Sequence, residues 1–156
     1  MAEIIRSVKG TRDFYPDGMA VRRWMFDIRI KENMKLIELV NLINGQVLTD
    51  QPITDKVIAG AMGADLMSDV LASIQPEAAL LTGLCNPQVV RTAQIADIHA
   101  IIFVRGKNPA LETIAIANEE DIPLITTAYG LFEACGILYK AGLPSFEIEA
   151  QDDCAS

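Results

Sequence analysis

The chain predicts an α/β fold, a three-layer α/β/α sandwich around a mostly parallel sheet of about five strands. Three observations carry that reading. The segments Ala78 to Thr82, Ala100 to Val104 and Leu124 to Thr127 are continuously apolar instead of alternating, as strands covered on both faces must be. Their starts lie some 22 to 24 residues apart, about the length of a strand, a short loop and a three-turn crossover helix, so the neighbours are expected to be parallel with right-handed connections. Half of the 156 residues are apolar and only 6% aromatic, a balance that suits aliphatic helices packed on a buried sheet.

The elements follow in order. Met34, Leu36, Ile37, Leu39, Val40 and Ile43 recur at helical spacing, and Asn44-Gly45 favours a left-handed stop. Gln46 to Thr49 reads as a short strand, Gln51-Pro52 as the start of a loop, and Val57 to Met62 as a strand containing Gly60. Asp65 is expected to start a helix with Leu66, Val70, Leu71 and Ile74 inward and Pro76 closing it. The regular βαβαβα run then begins. Asn86-Pro87 and Asn108-Pro109 each offer an Asn cap and a Pro preset for the first turn, so helices are expected at both places. The helix from Pro109 is read with Leu111, Ile114, Ala115 and Ala117 toward the sheet and Glu112, Glu119 and Glu120 outward. A last helix runs from Leu131 to Lys140 and stops at Gly142.

Charge divides the chain. Residues 1–31 hold seven basic and four acidic side chains, net +3, whereas residues 32–156 hold six and seventeen, net −11. The organisation expected is therefore an N-terminal extension, 1–31, an α/β domain, 32–144, and an acidic tail, 145–156. The overall charge of −8 disfavours a nucleic-acid partner, because such binding relies on Lys and Arg displacing counterions from phosphates. No apolar run approaches the roughly 20 residues needed to cross a bilayer, and the N-terminus is too charged for the apolar part of a signal peptide, so no membrane partner and a cytoplasmic location are expected. Cys85, Cys135 and Cys154 are widely spaced and odd in number, which suits free thiols in a reducing compartment. Cys85, between a strand and a helix start, is the one placed to contact a ligand.

An open parallel sheet presents ligands at the carboxyl ends of its strands, where loops meet helix N-termini. The loops expected there supply Gly60, Gly63 and Asp65; Thr82, Gly83 and Asn86; Arg105, Gly106, Lys107 and Asn108; and Thr126 and Thr127. Small residues let a ligand approach the backbone, and Arg105 and Lys107 suit an anion such as a phosphate. The same Gly, Asn and Thr residues are also ordinary turn and cap chemistry. Catalytic and metal-binding arrangements are not found: His99 is the only histidine and reads as the start of a strand, and no GxSxG, HExxH or GxxxxGK[ST] occurs. No cofactor is indicated. Asp65 and Asp69, four apart, are read as one helical face able to hold a cation or act in acid-base work, or simply as solvated acids.

Three pieces carry a family resemblance: Ser68-Asp69 in the early helix, Gly106-Lys107-Asn108-Pro109 after a strand, and Ile122-Pro123-Leu124-Ile125-Thr126-Thr127 leading to Phe132-Glu133. Over roughly residues 34–143 the chain resembles the DRTGG domain family, with the naming motif replaced by ITDKVIAGAMG. Related domains stand at the N-terminus of HPr kinase/phosphorylase, in phosphotransacetylases, and beside CBS domains in regulated family II pyrophosphatases. The resemblance implies an α/β/α sandwich, a homodimer, and a regulatory unit attached to or working beside an enzyme. In the pyrophosphatase setting it also implies adenine nucleotides and diadenosine polyphosphates as ligands. Separately, KGTRDFYPDGMAVRRWMFD, Lys9 to Asp27, is similar to the opening of histidyl-tRNA synthetase, but the later motifs of that enzyme are missing.

Three functions follow as expectations. The first is a non-catalytic, homodimeric regulatory domain that binds an anionic small ligand, with an adenine nucleotide as the named candidate. The second is an interaction or scaffold protein that uses its acidic domain and the aromatic extension (Phe14, Tyr15, Trp24, Met25, Phe26) to hold a partner enzyme without any small ligand. The third is an enzyme using Asp65, Asp69 or Glu133.

Overall fold

A computed structural model of the chain describes residues 33–73 and 75–147. The extension 1–31 with its aromatic segment, Ile74, and the end of the acidic tail with Cys154 lie outside the described residues.

In chain order the elements are β1 (Met34–Lys35), α1 (Leu36–Leu42), β2 (Gln46–Val47), β3 (Val57–Ile58), β4 (Gly60–Gly63), α2 (Met67–Ala72), β5 (Ala78–Thr82), α3 (Pro87–Ile95), β6 (Ile98–Phe103), α4 (Leu111–Glu119), β7 (Leu124–Thr126) and α5 (Leu131–Lys140). The main sheet has five strands in the order β2-β7-β6-β5-β4. Only β2 runs antiparallel, beside β7. The other pairings are parallel, and β1 and β3 form a separate antiparallel pair.

The strand order from β4 to β7 never reverses, so right-handed crossovers place α2, α3 and α4 on one face. Their buried residues Val70, Val89, Val90, Ala93 and Ala117 share a core with Met62, Leu80, Ile101, Phe103 and Leu124. The opposite face carries α1 and α5, whose Leu36, Leu39, Ala134 and Leu138 pack on Ala79, Leu81, Ala100, Ile102 and Ile125. The result is the three-layer α/β/α sandwich. Every residue of β5 is buried, as a strand covered on both faces requires. In β6 the register slips by one residue against β5, from Ala78↔Ile98 to Ala79↔Ala100. His99 is the extra residue, and this bulge puts Ile98 and Ala100 on opposite faces.

Three of the helices, α1, α4 and α5, stop by a shared device. After α1 the Gly45 N–H bonds to Val40 O at 2.8 Å, after α4 Ile122 N–H to Ala117 O at 2.9 Å, and after α5 Leu143 N–H to Leu138 O at 3.1 Å. Each closes a Schellman turn around a left-handed residue: Asn44 (φ 48), Asp121 (φ 54) and Gly142 (φ 103). The short Asn and Asp side chains tolerate this region at the first two stops, and glycine fills it at the third.

Several boundaries differ from the sequence reading. Met34 belongs to a strand and α1 opens at Leu36. The strand read over 57–62 is two pieces in two sheets: Ala59 N–H bonds to Glu77 O, and Gly60 to Gly63 then pairs with β5. Of the described apolar positions read for this helix, Val70 is buried while Leu66 and Leu71 are exposed, and α2 begins at Met67 instead of Asp65. The helix after Asn108-Pro109 begins at Leu111 on an Ala110 cap with no side-chain bond, and it buries Thr113 and Ala117, leaving Leu111 85% exposed. Beyond Pro144 the chain continues along the sheet. Ala61 N–H bonds to Pro144 O, and Phe146 N–H to Ala61 O, so Ser145 lies in a parallel bridge on the edge of β4.

Candidate functional site

The chain leaves β5 and β6 toward α3 and α4 on one face, and leaves β7 toward α5 on the other. In a parallel sheet such a divergence opens a crevice at the carboxyl ends of the two strands. Here the chain fills that crevice with its own backbone. Arg105 and Gly106 both take left-handed conformations, φ 60 and 65, and turn the chain back over β7. Arg105 N–H then reaches Tyr129 O and Gly106 N–H reaches Thr127 O, both at 2.8 Å. The Thr126 hydroxyl donates to Lys107 O at 2.8 Å, and the Thr127 hydroxyl, 2% exposed, donates to Ile43 O at 2.7 Å. Thr126 and Thr127 therefore hold the loop in place.

The anchored loop directs two cations at the end of β5. Lys107 Nζ donates to Gly83 O at 2.7 Å. The Arg105 guanidinium lies where a Cβ on Gly83 would have to go, so glycine is what lets the two meet. From the other side comes Asp65, in the loop between β4 and α2. Its Oδ1 accepts the Gly83 N–H at 2.6 Å and the Thr82 hydroxyl at 3.0 Å. The Thr82 oxygen in turn accepts Leu84 N–H at 3.1 Å. The Gly83 N–H bond is the main reason the Asp65 carboxyl is held below the usual carboxylate range. Partial desolvation opposes it, and the Thr82 hydroxyl and the charges of Arg105 and Lys107 add to it.

Asp65, Thr82, Gly83, Arg105 and Lys107 are thus brought together, with Gly106 and Thr126 behind them. Other residues proposed from sequence are placed elsewhere. Gly60 opens β4 against the ring of Phe146. The Gly63 N–H donates to Glu147 Oε1 at 3.1 Å, and this residue faces Cys135 and Leu131. Asn86 Oδ1 caps α3 by accepting Val89 N–H at 3.3 Å. Asn108 is exposed on the basic loop. Cys85 is half-buried with a free thiol, packed against the α3 side of the core. Asp69 lies in the first turn of α2 while Asp65 precedes that helix, so the two do not share a helical face. Among the described residues no group of three or more His, Cys, Asp or Glu is placed to hold a metal ion.

One feature was not anticipated. An apolar cleft of about 260 Å³ runs between β4, α5 and the strap from Pro144 to Glu147, lined by Met62, Leu81, Phe132, Cys135 and Leu138. Burial, and then the Glu147 charge, push the Cys135 thiol up, which disfavours a nucleophilic role. No local pattern in the sequence signals it, because the strap is made by pairing with the distant Ala61.

No protein-family model and no curated protein matches the chain. Among solved structures it is similar to the CBS and DRTGG domains of the regulatory region of Clostridium perfringens pyrophosphatase, complexed with the activator diadenosine tetraphosphate. The TM-score is 0.58 at 17% identity, covering 76% of this chain and 51% of that one. The likeness is one of fold, and the chain spans about half the length of that neighbour. No helix among the described residues is long and apolar enough to cross a membrane.

Proposed function

We propose that the chain is a non-catalytic regulatory or sensing module that binds an anionic small ligand of the nucleotide phosphate class at the carboxyl ends of β5 and β6. The observation that carries this is the convergence of Arg105 and Lys107, from a loop fixed by backbone hydrogen bonds, on Gly83 at the end of β5. Two cations beside a backbone N–H and a hydroxyl are what a phosphoryl group needs. The structural neighbour supports the reading, being a regulatory region solved with a nucleotide activator. In this reading the module is a homodimer serving a partner enzyme in the cytoplasm, with residues 1–31 as an arm.

Thermal shift with ATP and with diadenosine tetraphosphate tests it. At a hundredfold excess over Kd, linkage adds about 2.7 kcal/mol and raises Tm by several degrees. Arg105→Ala with Lys107→Ala should abolish the shift. A flat response of the unaltered chain at millimolar ligand would overturn the reading, and sedimentation tests the dimer separately.

The scaffold alternative has its own support in Phe132, 95% exposed at the start of α5 beside the apolar cleft. Deleting residues 1–31 discriminates: loss of a co-purifying enzyme from a domain that still folds would favour it.

A further inference from the structure

The donors that a phosphoryl ligand would use are already engaged by an oxyanion of the chain itself. One carboxylate oxygen of Asp65 takes the Gly83 N–H and the Thr82 hydroxyl, within the field of Arg105 and Lys107. We infer that Asp65 is the specificity-determining residue of this site, an internal oxyanion that a ligand must displace, so that the site selects polyphosphates over carboxylates and other singly charged anions. The inference rests on the ligand reading above and adds which chemistry the site admits.

Displacement sets a threshold. Asp65 competes from the same chain, at the high effective concentration of a tethered group, so an external anion offering only the same two hydrogen bonds loses. A polyphosphate brings more charge to Arg105 and Lys107 and more oxygens than one carboxylate holds, and those extra contacts must decide the competition. The geometry also allows Asp65 to leave. It is exposed, it precedes the six-residue α2, and that helix has no side-chain cap and buries Val70 alone among its own residues. Among the described residues, Thr82 and Gly83 are the only hydrogen-bond donors to the Asp65 carboxylate.

Titration calorimetry of the full chain with tripolyphosphate, ATP and acetate provides the test, applied to the unaltered protein, Asp65→Asn and Asp65→Ala. Asn keeps an oxygen for Gly83 and Thr82 without the charge, so its fold is the safer of the two. Tripolyphosphate is expected to bind about tenfold tighter to Asp65→Ala than to the unaltered chain, the worth of one freed charge-assisted hydrogen bond, with Asp65→Asn between them. The preference for tripolyphosphate over acetate should narrow in both variants. In the unaltered chain the ¹⁵N–¹H resonance of Gly83 should move on binding as its acceptor changes from carboxylate to phosphate. If tripolyphosphate or ATP binds but both Asp65 variants bind it equally or more weakly, the internal-anion role is overturned while the ligand site survives. If no anion binds any of the three proteins, both fall.

Discussion

Asn86-Pro87 and Asn108-Pro109 are the same dipeptide placed after neighbouring parallel strands, yet one builds a helix start and the other does not. After β5 the chain has only residues 83–86 before α3, and Asn86 turns inward to cap Val89 N–H. After β6 it has residues 104–110, and Arg105 and Gly106 consume the first of these in a left-handed reversal tied to Thr127 and Tyr129. Pro109 is then buried, Asn108 is left exposed, and the helix starts two residues later on the backbone of Ala110. A short loop engages its polar residue in secondary structure, whereas a longer, anchored one leaves polar residues facing outward. The site forms where the two loops meet, at Gly83.

That contrast can be broken first from the β5 side. Thr82 is fully buried and its hydroxyl bridges Asp65 Oδ1 and Leu84 N–H. Thr82→Val keeps the shape, removes both bonds and leaves a part-buried N–H without a partner, which should cost about 1–3 kcal/mol in chemical denaturation. A cost well under 1 kcal/mol would show that the β5 loop does not depend on this bridge.

On the β6 side the expected effect is somewhat smaller and comes from backbone alone. A Cβ on Gly106 would meet no atom within 4 Å, so Gly106→Ala tests only the left-handed conformation at φ 65 and should cost about 1–2 kcal/mol. Arg105 occupies the same region at φ 60, and Arg105→Gly should therefore stabilise the fold while weakening anion binding. The opposite signs distinguish a turn that needs its conformation from a side chain kept in spite of it.

Smaller again is the comparison of the two asparagines. Asn86→Ala should lose about 1 kcal/mol, the usual worth of an N-cap, and Asn108→Ala less than about 0.5 kcal/mol, as for a surface residue without a structural bond. Equal losses would mean that Asn108 caps α4 in solution.

The same pair shows what was legible in the sequence. β5, the core of β6, β7 and α5 were readable because their apolar runs are continuous and their length fixes the element. The carboxyl-end loops were readable because a parallel sheet must put them on one side. The Asn108 start and the inward face of α4 were misread because a cap dipeptide does not reveal how many residues a loop will consume first. A two-residue shift of the helix start turned Leu111 outward and Thr113 inward. The break at Ala59 and the strap at Ser145 were invisible because both are made by pairing with distant segments, Glu77 and Ala61. Asp65 is expected at the site from its position alone. Its attachment to Gly83 depends on the closeness of β4 and β5, which no local pattern encodes.

The smallest effect expected follows from that attachment. The folded-state pKa of Asp65 lies below its unfolded value, so the unfolded chain binds the proton more readily. Its contribution to stability is therefore fully present above the unfolded value and is lost as pH falls through the folded one. The carboxyl is largely exposed, and solvent screening keeps the contribution small. The chain carries 21 acidic side chains, so the useful quantity is the difference in Tm between the unaltered chain and Asp65→Asn, followed from pH 6 downward. That difference should favour the unaltered chain at pH 6 and shrink as the solution is acidified past the ordinary carboxylate range. The Gly83 amide resonance should titrate with a midpoint below that range in the unaltered chain, and this titration should be missing in the variant. A Tm difference that grew on acidification would mean that Gly83 and Thr82 favour the protonated acid, reversing the polarity assigned here to the meeting point of the two loops.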